Sequence, residues 1–150
     1  MKAKRADGAE GAVGLGILLG LLAAFLPWYS YSTTTARVTV DGFRASLLGD
    51  LFFLAVAAAA LLLLIRRGVV SDPLAGQVSE RSALIAIAGA AAAAVLLQLM
   101  FGSGGGRSLS AGMLFAVLAA AALAAGAWMS DPRTEHSRTV REMLEEERGD

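Results

Sequence analysis

Four long apolar runs limit what this sequence can fold into, and Asp50 near the start of the second run is the one charged side chain within them. A helix needs about 20 residues to cross a hydrocarbon core of about 30 Å, and three of the runs are close to that length. The first run, residues 11–26, is shorter and gains reach from Pro27, Trp28 and Tyr29. The predicted spans are therefore residues 11–29, 47–65, 83–101 and 109–129.

Composition agrees with insertion into a membrane. Hydrophobic residues make up 56% of the 150 residues, which exceeds the share in an ordinary soluble domain. Lipid offers no hydrogen-bond partner to free backbone amides, so runs of this kind must be helical, and alanine and leucine carry a low helix cost. The predicted fold class is an all-α membrane protein, a four-transmembrane-helix bundle with a short β-prone outer loop.

The segment between the first two runs, "FLPWYSYSTTTARVTVDGFRAS" at residues 25–46, changes from apolar to polar. Pro27 interrupts the helical ladder, because proline lacks a backbone N–H. Trp28, Tyr29 and Tyr31 suit the membrane interface, where one end of an aromatic ring is wet. These three aromatics, together with Trp128 near the end of the fourth run, are the predicted interface anchors.

The polar part of this segment is β-prone, since it is rich in threonine, valine and aromatic residues. Asp41-Gly42 is a two-residue hairpin signature between Val40 and Phe43. We predict a small β-hairpin on the membrane surface, within an outer loop at residues 28–46. The alternative is an extended polar loop, because isolated hairpins are marginally stable.

Lysine and arginine are distributed unevenly among the segments that flank the spans. Because cytoplasmic flanks carry the excess of these residues, segment 1–10 and the charged tail 130–150 are predicted to be cytoplasmic. Ten of the 13 lie on that side, namely Lys2, Lys4, Arg5, Arg66, Arg67, Arg81, Arg133, Arg138, Arg141 and Arg148, against Arg37, Arg44 and Arg107 on the other. A cleaved signal peptide is the alternative interpretation of the first run, but Pro27 and the bulky aromatics beside it fit a cleavage site poorly.

Small residues recur every four positions within two of the runs. The stripes are Ala12, Gly16, Gly20 and Ala24 in the first run, and Gly112, Ala116, Ala120 and Ala124 in the fourth. Small faces let helix backbones approach closely in lipid, so Gly16, Gly20 and Gly112 are predicted helix-packing residues; a homodimer contact is the alternative. Gln98 is the strongly polar side chain deep in a span, and we expect it to form an interhelical hydrogen bond rather than a transport site.

Residues that carry chemistry are sparse. The glycine-rich "FGSGGGRS" lacks the spacing of a phosphate-binding loop. His136 is the single histidine, and the absence of cysteine excludes disulfides and thiolate metal sites. We therefore expect no catalytic residue, no metal site, no cofactor and no enzymatic activity. The formal net charge of zero gives no basic surplus for nucleic acid.

The chain has three features that together define its layout. The motif "LPWYS" closes the first run, a β-prone outer loop follows, and the spans are rich in alanine, leucine and glycine. This layout resembles small uncharacterised four-span membrane proteins of high-GC actinobacteria. It is also similar to the claudin-like tetraspan layout, which has a long β-prone first outer loop and a short second one. The W-GLW-C-C motif of that family is absent, so no functional residue is transferred from the resemblance.

These observations predict a non-enzymatic interaction or accessory subunit in a bacterial cytoplasmic membrane. Its expected partners are membrane lipids and a membrane or extracytoplasmic protein, bound through the outer loop or the tail, where residues 133–148 are predicted to form a short helix. Arg37, Thr39 and Phe43 are the candidate partner-binding residues. A small transporter or lipid-binding carrier with a groove between the helices is the alternative, and a homo-oligomer remains open.

Overall fold

Four long helices and a small sheet make up the computed structural model, which describes residues 2–32, 34, 36–71, 79–102 and 108–130. The long helices are α1 (Lys2–Phe25), α3 (Leu47–Arg66), α4 (Glu80–Gly102) and α5 (Ala111–Met129), and α2 (Gly42–Ala45) is a single turn. The strands are β1 (Pro27–Ser32), β2 (Arg37–Asp41) and β3 (Ser108–Leu109). The glycine-rich residues 103–107 and the predicted tail helix lie outside the described residues.

Each of the four long helices is long and apolar enough to cross a membrane. Their apolar segments have mean hydropathies of 1.8, 2.6, 2.3 and 1.9 in chain order. The helices form a ring in which α1 and α4 each pack against α3 and α5. Four such helices suggest a multi-pass membrane protein, since α-helices satisfy their backbone polar groups within one segment.

Side-chain size is sorted between the inside and the outside of this ring. Many of the core side chains are alanine, among them Ala59, Ala91 and Ala116, each of which is fully buried. Large apolar side chains such as Leu18, Met100 and Leu114 are exposed on the helices. An exterior of this kind would be an aggregation hazard in water but suits contact with hydrocarbon.

The helices come into close contact at glycine residues. A Cβ atom built on Gly16 would lie 2.8 Å from Cγ of Leu123 on α5, and one on Gly20 would lie 2.6 Å from Cγ2 of Val56 on α3. These two positions on α1 therefore face neighbouring helices, as the four-residue stripe predicts. Gly126 on α5 makes a similar contact, because its Cβ would lie 2.5 Å from Cγ2 of Val13.

The three strands form one antiparallel sheet in the order β2-β1-β3. The sheet lies at the end of the ring where α1 and α4 end and α3 and α5 begin, and we call this the sheet end. The predicted β-structure is present, so the alternative of an extended loop is wrong.

Two details of the predicted first span and hairpin need correction. Helix α1 ends at Phe25, not at Tyr29, because the backbone enters β1 at Pro27, which cannot donate to the helical ladder. Asp41-Gly42 is not the hairpin turn, since the connection between the paired strands falls on residues 33–36. Asp41 instead caps α2, where its Oδ1 accepts a hydrogen bond from the backbone N–H of Arg44 at 3.0 Å.

Candidate functional site

Strand β1 is fixed to the sheet end by two buried aromatic residues. Trp28 is 0% exposed, its ring packs edge-on against Phe52 with centroids 5.7 Å apart, and its Nε1–H donates to the carbonyl of Ala23 at 2.9 Å. Tyr29 is 1% exposed, and its hydroxyl donates to the backbone carbonyl of Gln98 at 2.9 Å. Both polar groups therefore have protein partners.

This burial corrects the prediction that Trp28 and Tyr29 are interface anchors. An anchor at the headgroup level keeps one end of its ring in contact with water or lipid. The two rings contact protein instead, and they hold the sheet against the helices. Tyr31 is half-buried in β1 and Trp128 is 83% exposed near the end of α5, so for these two residues anchoring stays a prediction.

The connection between α4 and α5 contributes the third strand. Ser30 and Ser108 lie opposite each other with their Oγ atoms 2.8 Å apart, and the Ser108 hydroxyl also contacts the Ser30 carbonyl at 3.0 Å. The backbone N–H of Ser110 donates to the carbonyl of Trp28 at 3.0 Å. The sheet thus joins the two connections at this end of the ring, which the sequence analysis missed.

Gly112, a predicted helix-packing residue, contacts this strand rather than another helix. A Cβ atom there would lie 2.5 Å from the carbonyl oxygen of Leu26 and 2.7 Å from Cδ1 of Trp28. Because Gly112 has no side chain, the turn into β1 can pack closely against the start of α5. Gly102 plays a comparable role for Tyr29, whose hydroxyl occupies the space of a Cβ.

Gln98 is buried on α4 and makes the kind of contact expected of an amide in a span. It is 3% exposed, and its Oε1 accepts a hydrogen bond from the hydroxyl of Ser46. The same hydroxyl accepts from the backbone N–H of Leu48 at 3.2 Å and so caps α3. The amide therefore links α4 to the start of α3 through its carbonyl oxygen.

The candidate partner-binding residues lie on or next to β2. Within the part of the chain that the structure describes, β2 has one neighbouring strand and forms an edge of the sheet. Exposure alternates along the strand from residue 37 to residue 40. Arg37 and Thr39 are exposed, whereas Val38 and Val40 are half-buried. Phe43 follows in α2, is 55% exposed, and stacks on Phe53 with ring centroids 4.3 Å apart. The structure thus brings the three candidates together at the sheet end.

The opposite end of the ring is charged. Arg67 pairs with Glu10 at 2.7 Å and Arg66 with Glu80 at 3.4 Å, so these ion pairs join the end of α3 to α1 and α4. A shallow cleft between the same three helices is lined by valine, alanine and leucine side chains together with Arg66 and Glu80. Arg66 and Arg67 therefore each have a carboxylate partner, and neither of these two charges is unpaired.

Neither protein families nor curated proteins supply a relative for this chain. No protein-family model matches it, and it shows no significant similarity to any curated protein. The geometry of the sheet end is therefore the basis for the function proposed below.

Proposed function

We propose that this chain is a non-enzymatic multi-pass membrane protein that acts as an interaction subunit and presents the edge of β2 to a protein partner. The observation that carries the proposal is an open strand edge on a sheet that is fixed to the helices. An edge strand offers unpaired backbone N–H and C=O groups to which an extended segment of another protein can add. The alternating exposed side chains of β2 then supply selectivity.

The anchoring of β1 supports this function, because a rigid strand loses little conformational entropy when a partner binds. Trp28 and Tyr29 are buried and hold β1 against the helices, and each residue of β2 pairs with a residue of β1. In addition, β2 contains neither lysine nor proline, which protect many natural edge strands from pairing.

The carrier alternative would be favoured by a polar groove around Gln98. The structure instead buries this amide, and its carbonyl oxygen is bonded to Ser46. The cleft at the charged end is mostly apolar and lies at the other end of α4. We therefore propose that the chain acts as an interaction subunit and not as a carrier.

We further propose that both termini face the cytoplasm of a bacterial cell and that the sheet end faces outside, because ten of the 13 lysines and arginines flank the charged end. Single cysteines at Thr35, Ser71 and Thr139 test this orientation in a chain that has no native cysteine. With an impermeant maleimide on intact cells, we expect labelling at position 35 alone. Permeabilised cells are the control, and labelling at position 71 or 139 before permeabilisation would reverse the orientation.

Partner capture tests the role of β2. Replacing Arg37, Thr39 and Phe43 together with alanine should abolish copurification of the partner from native membranes in mild detergent. The matched control replaces Thr34 and Arg44, two exposed residues of the same segment that lie outside β2. Thermal unfolding checks that both variants fold, because Phe43→Ala removes a ring contact with Phe53 that is worth about 1 kcal/mol.

Deletion of the tail tests the alternative that the partner binds there and not at β2. Unchanged capture by the triple variant, together with loss of capture when the residues after Asp131 are deleted, would move the binding site to the tail.

A further inference from the structure

We propose that the edge of β2 binds β2 of a second copy of this chain, so that two sheets join into one across a twofold axis. The inference rests on the proposed function, because it names the partner of the same edge. It is carried by the order of charges along the strand, which makes β2 complementary to itself.

The geometry of strand pairing limits the registers to be considered. Successive side chains of a strand point to opposite faces, and residues directly opposite each other in an antiparallel pair share a face. Two identical strands related by a twofold axis must therefore be centred on a residue, not between two residues. For β2 (Arg37–Asp41), the register that pairs all residues of the strand is centred on Thr39.

This register brings complementary groups together at each position. Arg37 lies opposite Asp41 of the second copy, and by symmetry Asp41 lies opposite Arg37. Val38 lies opposite Val40 of the second copy, and the two Thr39 side chains meet at the axis. Opposite charges, β-branched pairs and Thr–Thr pairs are the cross-strand combinations that stabilise antiparallel sheets.

Shifted registers lose these contacts. If the pair is centred on Val38, Arg37 lies opposite Thr39 of the second copy. If it is centred on Val40, Asp41 lies opposite Thr39 of the second copy. A further shift in either direction sets Arg37 against Arg37 or Asp41 against Asp41, and like charges directly opposite each other are unfavourable. The charge order therefore selects one alignment.

The side chains that this pairing needs are available at the surface. Arg37 is exposed, and its Nη2 donates one long hydrogen bond of 3.4 Å to the hydroxyl of Ser30. Asp41 uses Oδ1 to cap α2, and a carboxylate has a second oxygen that can accept from a guanidinium. Capping and dimerisation are therefore compatible.

A cysteine at the proposed axis tests the dimer directly. Directly opposite residues have Cα atoms about 4.5 to 5.5 Å apart, within the separation of about 4.4 to 6.8 Å that a disulfide spans. We expect Thr39→Cys to form a covalent dimer on mild oxidation of native membranes. Copies in one membrane share one orientation, so this crosslink also requires the twofold axis to follow the membrane normal.

Thr34→Cys is the matched control for random collision, because Thr34 is exposed in the same segment but lies beyond the end of β2. Two copies of residue 37 would already be about 13 Å apart at about 3.3 Å per residue, and residue 34 follows beyond them. We expect this variant to remain monomeric under the same oxidation. Equal crosslinking at both positions would overturn the proposal.

Charge reversal tests the register. In the Thr39→Cys background, Arg37→Glu sets a carboxylate against Asp41 of the second copy and should lower the crosslinked fraction several-fold. Arg44→Glu makes the same charge change at an exposed residue of α2 and should leave that fraction unchanged. Equal fractions in these two variants would overturn the register.

The two proposals fail differently. Absence of a Thr39→Cys dimer, with partner capture still lost in the Arg37, Thr39 and Phe43 triple variant, would overturn only the second copy as partner. A Thr39→Cys dimer with capture unaffected by the triple variant would support the dimer and contradict the binding of another protein by β2.

Discussion

Replacing Trp28 with alanine should lower the free energy of unfolding by about 3 to 5 kcal/mol, the range for deleting a large buried aromatic ring. The ring is 0% exposed and packs against both Phe52 and Phe53, with centroids 5.7 and 5.6 Å away. The substitution leaves a cavity under the sheet and removes the donor that reaches the carbonyl of Ala23 at 2.9 Å. Unfolding by heat or denaturant in detergent measures the loss.

Two further variants separate ring packing from a general effect of mutation at this end. Trp28→Phe keeps an aromatic ring but removes the indole N–H, so it should cost less than alanine. Tyr31→Ala lies in the same strand at a half-buried position and should cost least of the three. Parent-like unfolding of Trp28→Ala would contradict the conclusion that this ring holds the sheet on the helices.

The spans were predictable because lipid tolerates few charges and no free backbone polar groups. The last three predicted spans differ from α3, α4 and α5 by no more than a few residues at either end. Helix α1 differs more, since it begins at Lys2 and ends at Phe25. Hydropathy detects only the apolar part of a helix, and residues 2–10 are polar or small yet compatible with helical structure.

The sheet was predictable only in part. Threonine and valine indicate strands, but local composition does not say which strands pair. Ser108 joins Ser30 across 78 positions of the chain, and no local pattern predicts a contact of that kind. Asp41-Gly42 was ambiguous for a different reason, because aspartate favours both tight turns and helix N-caps.

The aromatic residues illustrate a second limit of the sequence. Tryptophan and tyrosine combine an apolar ring with one polar group, so they suit both a wet interface and a core that offers a hydrogen-bond acceptor. Trp28 and Tyr29 find such acceptors in the carbonyls of Ala23 and Gln98. Their position at the end of an apolar run is the same in either case, and only the tertiary structure distinguishes the two.

Replacing Gly16 or Gly20 with leucine should destabilise the ring of helices by about 1 to 3 kcal/mol, the usual cost of overpacking a close contact. The Cβ atom alone would lie 2.8 Å from Leu123 at position 16 and 2.6 Å from Val56 at position 20. A leucine side chain at position 16 must then separate α1 from α5. At position 20 it must separate α1 from α3, because Val56 is too short to move aside. Gly14→Leu is the control on the same helix, since no atom lies within 4 Å of a Cβ built there. Thermal unfolding in detergent should therefore rank both close-contact variants below Gly14→Leu, and equal melting of all three would show that this face of α1 does not hold the helices together.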